Sequence, residues 1–228
     1  MALDLASLPD VSGLTVGILG GTGDQGRGLA YRLALAGQQV LIGSRSAERA
    51  QAAAQELAQL SGGNVGGGEN ADVAARSDVL IVAVPYAGHA ATLAELAEVL
   101  VGKIVVDCVN PLGFDKQGPY ALKVDEGSAA QQAEALLPGA RVTAAFHHVS
   151  AELLADPAVT SMELDILVLG DDREAVAVVQ ALAGRIPGMR GVHAGRLRNA
   201  GQVEALTANL IAMNKRYKAH SGLRVTDV

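Results

Sequence analysis

Three glycines and a short basic run are the residues whose spacing suggests chemistry. Gly21, Gly23 and Gly26 fit G-x-G-x-x-G within Gly20-Gly21-Thr22-Gly23-Asp24-Gln25-Gly26. In a dinucleotide-binding turn the first glycine permits a tight bend, the second lets a pyrophosphate approach the backbone, and the third lets helix pack on strand. About 20 residues on, where such a fold reads the adenosine ribose, stands Ser44-Arg45-Ser46, with no carboxylate between Asp24 and Glu48. A carboxylate there would accept from a free 2′-hydroxyl and repel a 2′-phosphate, whereas a hydroxyl and a guanidinium bind the phosphate. NADP rather than NAD is therefore the expected dinucleotide, with Arg49, one helical turn beyond Arg45, as a second cation.

These residues need elements to position them. The apolar run Leu14 to Leu19 reads as a strand, and a helix follows the turn, carrying Leu29, Leu33 and Leu35. Its N-terminus points free N–H groups and the positive dipole end at the phosphates. Gln39 to Gly43 is a second strand, Ala47 to Leu60 a helix, and Ser61 to Gly68 a turn cluster around a short strand. Asn70 or Asp72 then caps a short helix. Asp78 to Val84 reads as a buried strand, and because strand C-termini line the ligand crevice in a doubly wound sheet, Val84 and Pro85 belong beside the cofactor. Ala87 to Val101 is helical, with His89 in its first turn either touching cofactor or simply solvated. Lys103 to Val106 is the next strand, and its exit places Asn110 and Pro111 near the nicotinamide.

Leu112 to Gly127 reads as a loop, Ser128 caps a helix to Leu137, and Arg141 to Phe146 is a strand running into His147-His148. Adjacent residues of an extended chain point opposite ways, so the two histidines do not share one metal ion. They either wall the crevice beside a second substrate or are structural. From Ala151 the elements shorten: a strand at Asp165 to Leu169, a helix at Asp171 to Ala183, and a connection at Met189 to Val192. A long helix from Arg196 to Lys218 repeats Val203, Leu206, Leu210, Met213 and Tyr217 on one face. The expected fold is α/β: an N-terminal tail (1–13), a doubly wound Rossmann dinucleotide-binding domain (14–149) and a smaller C-terminal α/β domain (150–228).

Composition narrows the partners. The chain has 228 residues, 50% of them hydrophobic, and a net charge of −6, which disfavours nucleic acid. No apolar run approaches the ~20 residues of a membrane span, and Met1 to Gly13 has no basic stretch of the kind that opens a signal peptide. A single cysteine, Cys108, suits a reducing compartment. A cytoplasmic protein binding small molecules, without a membrane or a metal, is expected.

The remaining chemistry is sparse. None of the four tyrosines opens a Tyr-x-x-x-Lys proton-donor pair, and neither a nucleophile elbow nor a G-x-x-x-x-G-K motif occurs. That favours hydride transfer between two bound cofactors, where positioning does most of the work. At this level Leu19 to Gly26, Ile42-Gly43-Ser44-Arg45, Ala83-Val84-Pro85, Ala145-Phe146-His147 and Val203 to Thr207 together resemble the reduced coenzyme F420:NADP oxidoreductases, from about residue 14 onward.

The resemblance implies reversible hydride transfer between C5 of the deazaflavin of coenzyme F420 and C4 of the NADP(H) nicotinamide. It also implies a homodimer with a small C-terminal domain over the nicotinamide. Carried over by position, Thr22, Gly23, Asp24 and Gln25 cradle the pyrophosphate, Ser44, Arg45 and Arg49 the 2′-phosphate, and Val84 and Asn110 the nicotinamide half. Ala151, just beyond His147, and Leu223 fall where the two rings meet. On charge alone, and apart from the resemblance, Lys215, Arg216, Lys218 or Arg224 is expected to meet the anionic F420 tail. Two rival readings stay open: an NADPH-dependent reductase of a small imine or keto acid, and a non-catalytic NADP-sensing module.

Overall fold

A computed structural model describes residues 5–228. Of the tail expected over 1–13, residues 1–4 lie outside the described residues. A 3-10 turn at Leu5–Ser7 precedes β1 (Thr15–Leu19), α1 (Asp24–Leu35), β2 (Gln39–Ser44), α2 (Ala47–Ser61), β3 (Val65–Glu69) and α3 (Asn70–Arg76). The chain continues with β4 (Val79–Val82), α4 (Tyr86–Ala94), β5 (Ile104–Asp107), β6 (Leu112–Asp115), β7 (Gly118–Ala121), α5 (Ala129–Leu136) and β8 (Arg141–Ala144). It ends with α6 (Ala151–Ala155), β9 (Leu164–Gly170), α7 (Arg173–Gly184), β10 (Met189–His193), a 3-10 turn at Leu197–Asn199, and α8 (Ala200–Tyr217).

One sheet runs β10-β9-β8-β5-β4-β1-β2-β3. From β3 to β8 every pair is parallel, which is the doubly wound order of a Rossmann fold. Beyond residue 149 the same sheet continues, because β9 pairs antiparallel with β8 and β10 pairs parallel with β9. Burial on both faces explains the continuous apolar strands, in which alternate residues supply opposite layers. Ile81 and Val106 join the layer containing Leu29, Leu57 and Val179, while Leu80 and Val105 join the one containing Leu93, Ala130 and Val203.

The order reverses at β1, with β2 on one side and β4 on the other, and a crevice opens beyond their C-terminal ends. Gly20 makes this possible. Its φ is +73°, and a Cβ there would lie 2.5 Å from the Ala83 carbonyl oxygen at the β4 exit. The tight bend expected at Gly21 thus belongs to Gly20, while Gly21 gives close packing, since a Cβ on it would meet Ile42 Cγ2 at 2.6 Å.

Other local expectations are corrected. Within 112–127 the loop contains the β6–β7 hairpin, whose short strands are half exposed and interrupted by Pro119, so they lack an alternating pattern. Met189 to Val192 belongs to an edge strand, β10. The α-helix expected to reach Val101 ends at Ala94 and gives way to turns. In α8 the apolar stripe divides, with Val203 and Leu210 buried and Met213 and Tyr217 exposed.

Candidate active site

A cavity of about 800 Å³ occupies the crevice. Thr22, Gly23, Asp24 and Gln25 form one wall, Ser44, Arg45 and Arg49 one end, and Val84, Pro85 and Asn110 line its β4–β5 side. The floor suits a pyrophosphate. Gly23 caps α1 without a side-chain hydrogen bond, leaving N–H groups of the first turn available, and a Cβ there would meet only the Gly20 oxygen, at 3.4 Å. Gly26 lies behind this floor, where a Cβ would stand 2.6 Å from the Gly20 oxygen, so helix and turn touch backbone to backbone.

At the end where the ribose is expected, β2 delivers Ser44 and the first turn of α2 delivers Arg49. Ser46 caps that helix by accepting from the Arg49 N–H at 3.3 Å. Arg45 and Arg49 are exposed, and among the described residues neither guanidinium has a hydrogen-bond or ion-pair partner. Two free cations beside a hydroxyl match the charge of a 2′-phosphate.

A second cavity of about 280 Å³ adjoins the first and shares Gln25 and Asn110 with it. His147, His148, Ser150 and Ala151 line one side, and Thr207, Leu210, Ile211 and Asn214 of α8, with Ser221, line the other. The dividing wall is tightly held. Gln25 Nε2 donates to the Phe146 oxygen at 3.1 Å, and Asn110 Nδ2 donates to the His147 oxygen at 2.7 Å. Thr207 Oγ1 donates to the same oxygen at 3.2 Å, and lies 3.3 Å from Asn110 Oδ1. Phe146 takes φ +63°, a strained conformation for a bulky residue that persists only where its surroundings enforce it.

Burial, and then the neighbouring His148, pull the His147 imidazole down to about 3, while burial draws His148 to about 4. Both rings are therefore neutral near pH 7. Neither His147 nitrogen has a hydrogen-bond partner among the described residues. A neutral, desolvated imidazole is a poor acid, but it presents a flat polar wall to an aromatic ligand.

Five expected site residues line neither cavity: Gly21 and Gly26, which pack the turn against strand and helix, and His89, Pro111 and Leu223. His89 is fully buried, held by Asp107 and Gln132 rather than facing the crevice or solvent. Pro111 is buried, and its oxygen accepts the Leu122 N–H at 2.8 Å, anchoring the hairpin. Leu223 gives its oxygen to the Asp165 N–H at 2.8 Å, while Ser221, two residues earlier, reaches the second cavity. Among the four tail cations, Arg224 lies 3.5 Å from Asp165 and 3.9 Å from Glu163, whereas Lys215, Arg216 and Lys218 are exposed just beyond Asn214.

Several lining residues escaped the sequence reading. Asn70, Thr92, Cys108 and Val109 also line the first cavity, and the α8 residues above line the second. Thr207, Leu210, Ile211 and Asn214 fall at helical spacing, so the polar members of that face were a usable signal.

Known proteins resemble this chain over nearly its whole length. Residues 15–111 match the family model for F420-dependent NADP oxidoreductases. Over 224 residues the chain is 40% identical to the F420-dependent NADP reductase of Methanothermobacter marburgensis, covering 94% of this chain and 99% of that protein. It is 38% identical over 223 residues to the F420-dependent NADP reductase of Methanocaldococcus jannaschii, covering 94% of this chain and 99% of the other. A crystal structure from Arthrobacter sp. FB24, assigned as an F420-dependent NADP-reductase, superposes with a TM-score of 0.78 at 28% identity, covering 94% of this chain and 100% of that one. With the site geometry and full-length similarity in agreement, this chain belongs to the F420-dependent NADP reductase family.

Proposed function

We propose that this protein catalyses direct, reversible hydride transfer between C5 of reduced coenzyme F420 and C4 of the NADP+ nicotinamide. The observation that carries this reading is the pair of adjoining cavities with Gln25 and Asn110 as a common wall. When bound, the two cofactors supply the hydride donor and acceptor, and the protein supplies their alignment.

Each group of residues has a task in this reading. The first turn of α1, with Thr22 to Gln25, holds the pyrophosphate; Ser44, Arg45 and Arg49 hold the 2′-phosphate; Val84, Pro85 and Asn110 bound the nicotinamide half. His147 and Ala151 bound the deazaflavin side, and Ser221 takes the place the resemblance gave to Leu223. No side chain is required as an obligate acid or base, consistent with the neutral His147.

The same reading includes a homodimer in a reducing cytoplasm. Exposed Phe114, Tyr120, Met213 and Tyr217 on the hairpin and α8 supply apolar surface for a second copy, and the buried Cys108 thiol suits reducing conditions. Among the described residues no helix is long and apolar enough to cross a membrane.

The test is loss of NADPH absorbance with purified protein, with and without oxidised F420, and NADH run in parallel. Rapid oxidation that requires both F420 and NADPH supports the reading. NADPH binding without F420-dependent turnover overturns it and points to an imine, a keto acid or a sensing role.

A further inference from the structure

Behind the β5 exit, outside both cavities, ionisable side chains cluster in the core. His89 and Asp107 are 0% exposed and Glu204 3%. His89 Nε2 lies 2.6 Å from Asp107 Oδ2, and His89 Nδ1 lies 2.9 Å from Gln132 Oε1. Gln132 Nε2 donates to Glu126 Oε2 at 3.3 Å, which turns the amide oxygen toward the imidazole. Both ring nitrogens therefore face acceptors, and the ring satisfies both only by carrying two protons. Burial opposes that charge, but the bond to Asp107 leads the influences that together outweigh it and leave His89 above its ordinary value. Glu204 of α8 lies nearby and accepts the N–H groups of Ala129 and Ala130 at 2.9 and 3.1 Å; burial pushes its carboxyl up to about 7, so near neutral pH it adds only part of a negative charge.

The cluster is tied to the site through the backbone. Asp107 Oδ1 accepts the Val109 N–H at 3.0 Å, and the Cys108 N–H donates to the Val82 oxygen at 3.1 Å. These bonds set the path of Cys108, Val109 and Asn110, which line the first cavity, and Asn110 reaches the second. A chain of hydrogen bonds thus runs from Gln132 through His89 and Asp107 to Val109, the residue preceding Asn110 of the wall between the cavities.

We propose that His89 is a positioning residue for hydride transfer: an imidazolium clamped between Gln132 and Asp107, it fixes the Asp107 carboxylate and through it the Val109–Asn110 wall. His89 touches neither cavity, so it acts on alignment and not on proton transfer. The activity readout rests on the function proposed above, while the clamp itself does not.

The test compares wild type, His89→Ala and His89→Gln, whose amide nitrogen can still donate to Asp107. Misplacing a reacting group by about 1 Å costs up to about 100-fold in rate. His89→Ala is expected to lose roughly 10- to 100-fold in kcat per NADPH-binding site, with KM and Kd for NADPH within about threefold, and His89→Gln to recover to within about fivefold of wild type. Independently, ¹H–¹⁵N spectra of wild type at neutral pH should show two exchange-protected ring N–H protons on His89.

An unchanged kcat in folded His89→Ala, NADPH affinity falling in step with kcat, no recovery in His89→Gln, or a single ring proton would each overturn the proposal. If His89→Ala does not fold, the ring protons and the His89→Gln rate decide it. A wild type with both ring protons but no F420 activity would overturn the proposed reaction and leave the clamp standing.

Discussion

Replacing Arg45 by alanine isolates the contribution of its proposed contact with the 2′-phosphate. Arg45 is exposed at the end of the crevice, and its guanidinium has no hydrogen-bond or ion-pair partner among the described residues, so its removal breaks no internal bond. A charge-assisted hydrogen bond is worth about 1.5–3 kcal/mol, and solvent exposure places Arg45 at the lower end. About 1.4 kcal/mol corresponds to a tenfold rise in KM or Kd for NADPH. Loss of both Arg45 and Arg49 should approach 100-fold if the two contributions add.

Because these cations lie away from the nicotinamide half, kcat should stay within about twofold, the signature of lost uniform binding. NADH, without the phosphate, should be unaffected, and the difference for NADPH should narrow as salt is raised. Steady-state kinetics with both nucleotides, alongside fluorescence titration of NADPH, provide the assay. Unchanged NADPH affinity, or an equal loss for NADH, would refute the assignment of Arg45.

His147→Ala should slow turnover only modestly, because the buried imidazole is neutral; a loss beyond about 10⁴-fold would mean obligate acid–base chemistry. Gly26→Ala would set a Cβ 2.6 Å from the Gly20 oxygen and 3.0 Å from Gly21 Cα, both backbone atoms that yield poorly. We expect roughly 1–3 kcal/mol of destabilisation and weaker NADPH binding, and an unchanged urea midpoint would contradict it. Arg190→Leu strips two 2.7 Å bonds from the buried Asp165, whose Oδ2 also accepts the Val225 N–H. With Arg224 nearby as partial compensation, the cost should be about 2–4 kcal/mol by urea unfolding. Hydrogen bonds from Arg190 hold Asp165 below its ordinary value, so this stability is present above the unfolded carboxylate pKa and is lost as pH falls through the depressed folded one. The gap between wild type and variant should therefore close in strong acid, and a constant gap would refute the pairing.

The parallel half of the fold was legible because its strands are buried on both faces and its turns are punctuated by glycine. β1, β2 and β5 fall within a residue or so of their expected bounds, and Ser128 caps α5 by accepting from the Gln131 N–H, as its sequence context suggested. The hairpin and β10 were hidden because they are short and at an edge, where tertiary contacts rather than alternation decide the structure. Ser44, Arg45 and Arg49 stood out together in the sequence by their types, and the structure gathers them at one end of the first cavity. His89 was not: its position in the first turn of a helix gives no hint of Asp107 and Gln132, which reach it from 18 and 43 residues away. The α8 side of the second cavity was obscured because Thr207 and Asn214 sit within a stripe that apolar periodicity alone describes.

Isotope tracing tests whether the hydride passes straight from one cavity to the other. NADPH carrying deuterium at the transferred position of C4 is oxidised by F420 in ordinary water, and the reduced F420 is analysed at C5. One equivalent of deuterium is expected at C5, because the hydride crosses between the two rings without meeting solvent. Reduced F420 that lacks the label, with deuterium released to water, would contradict it.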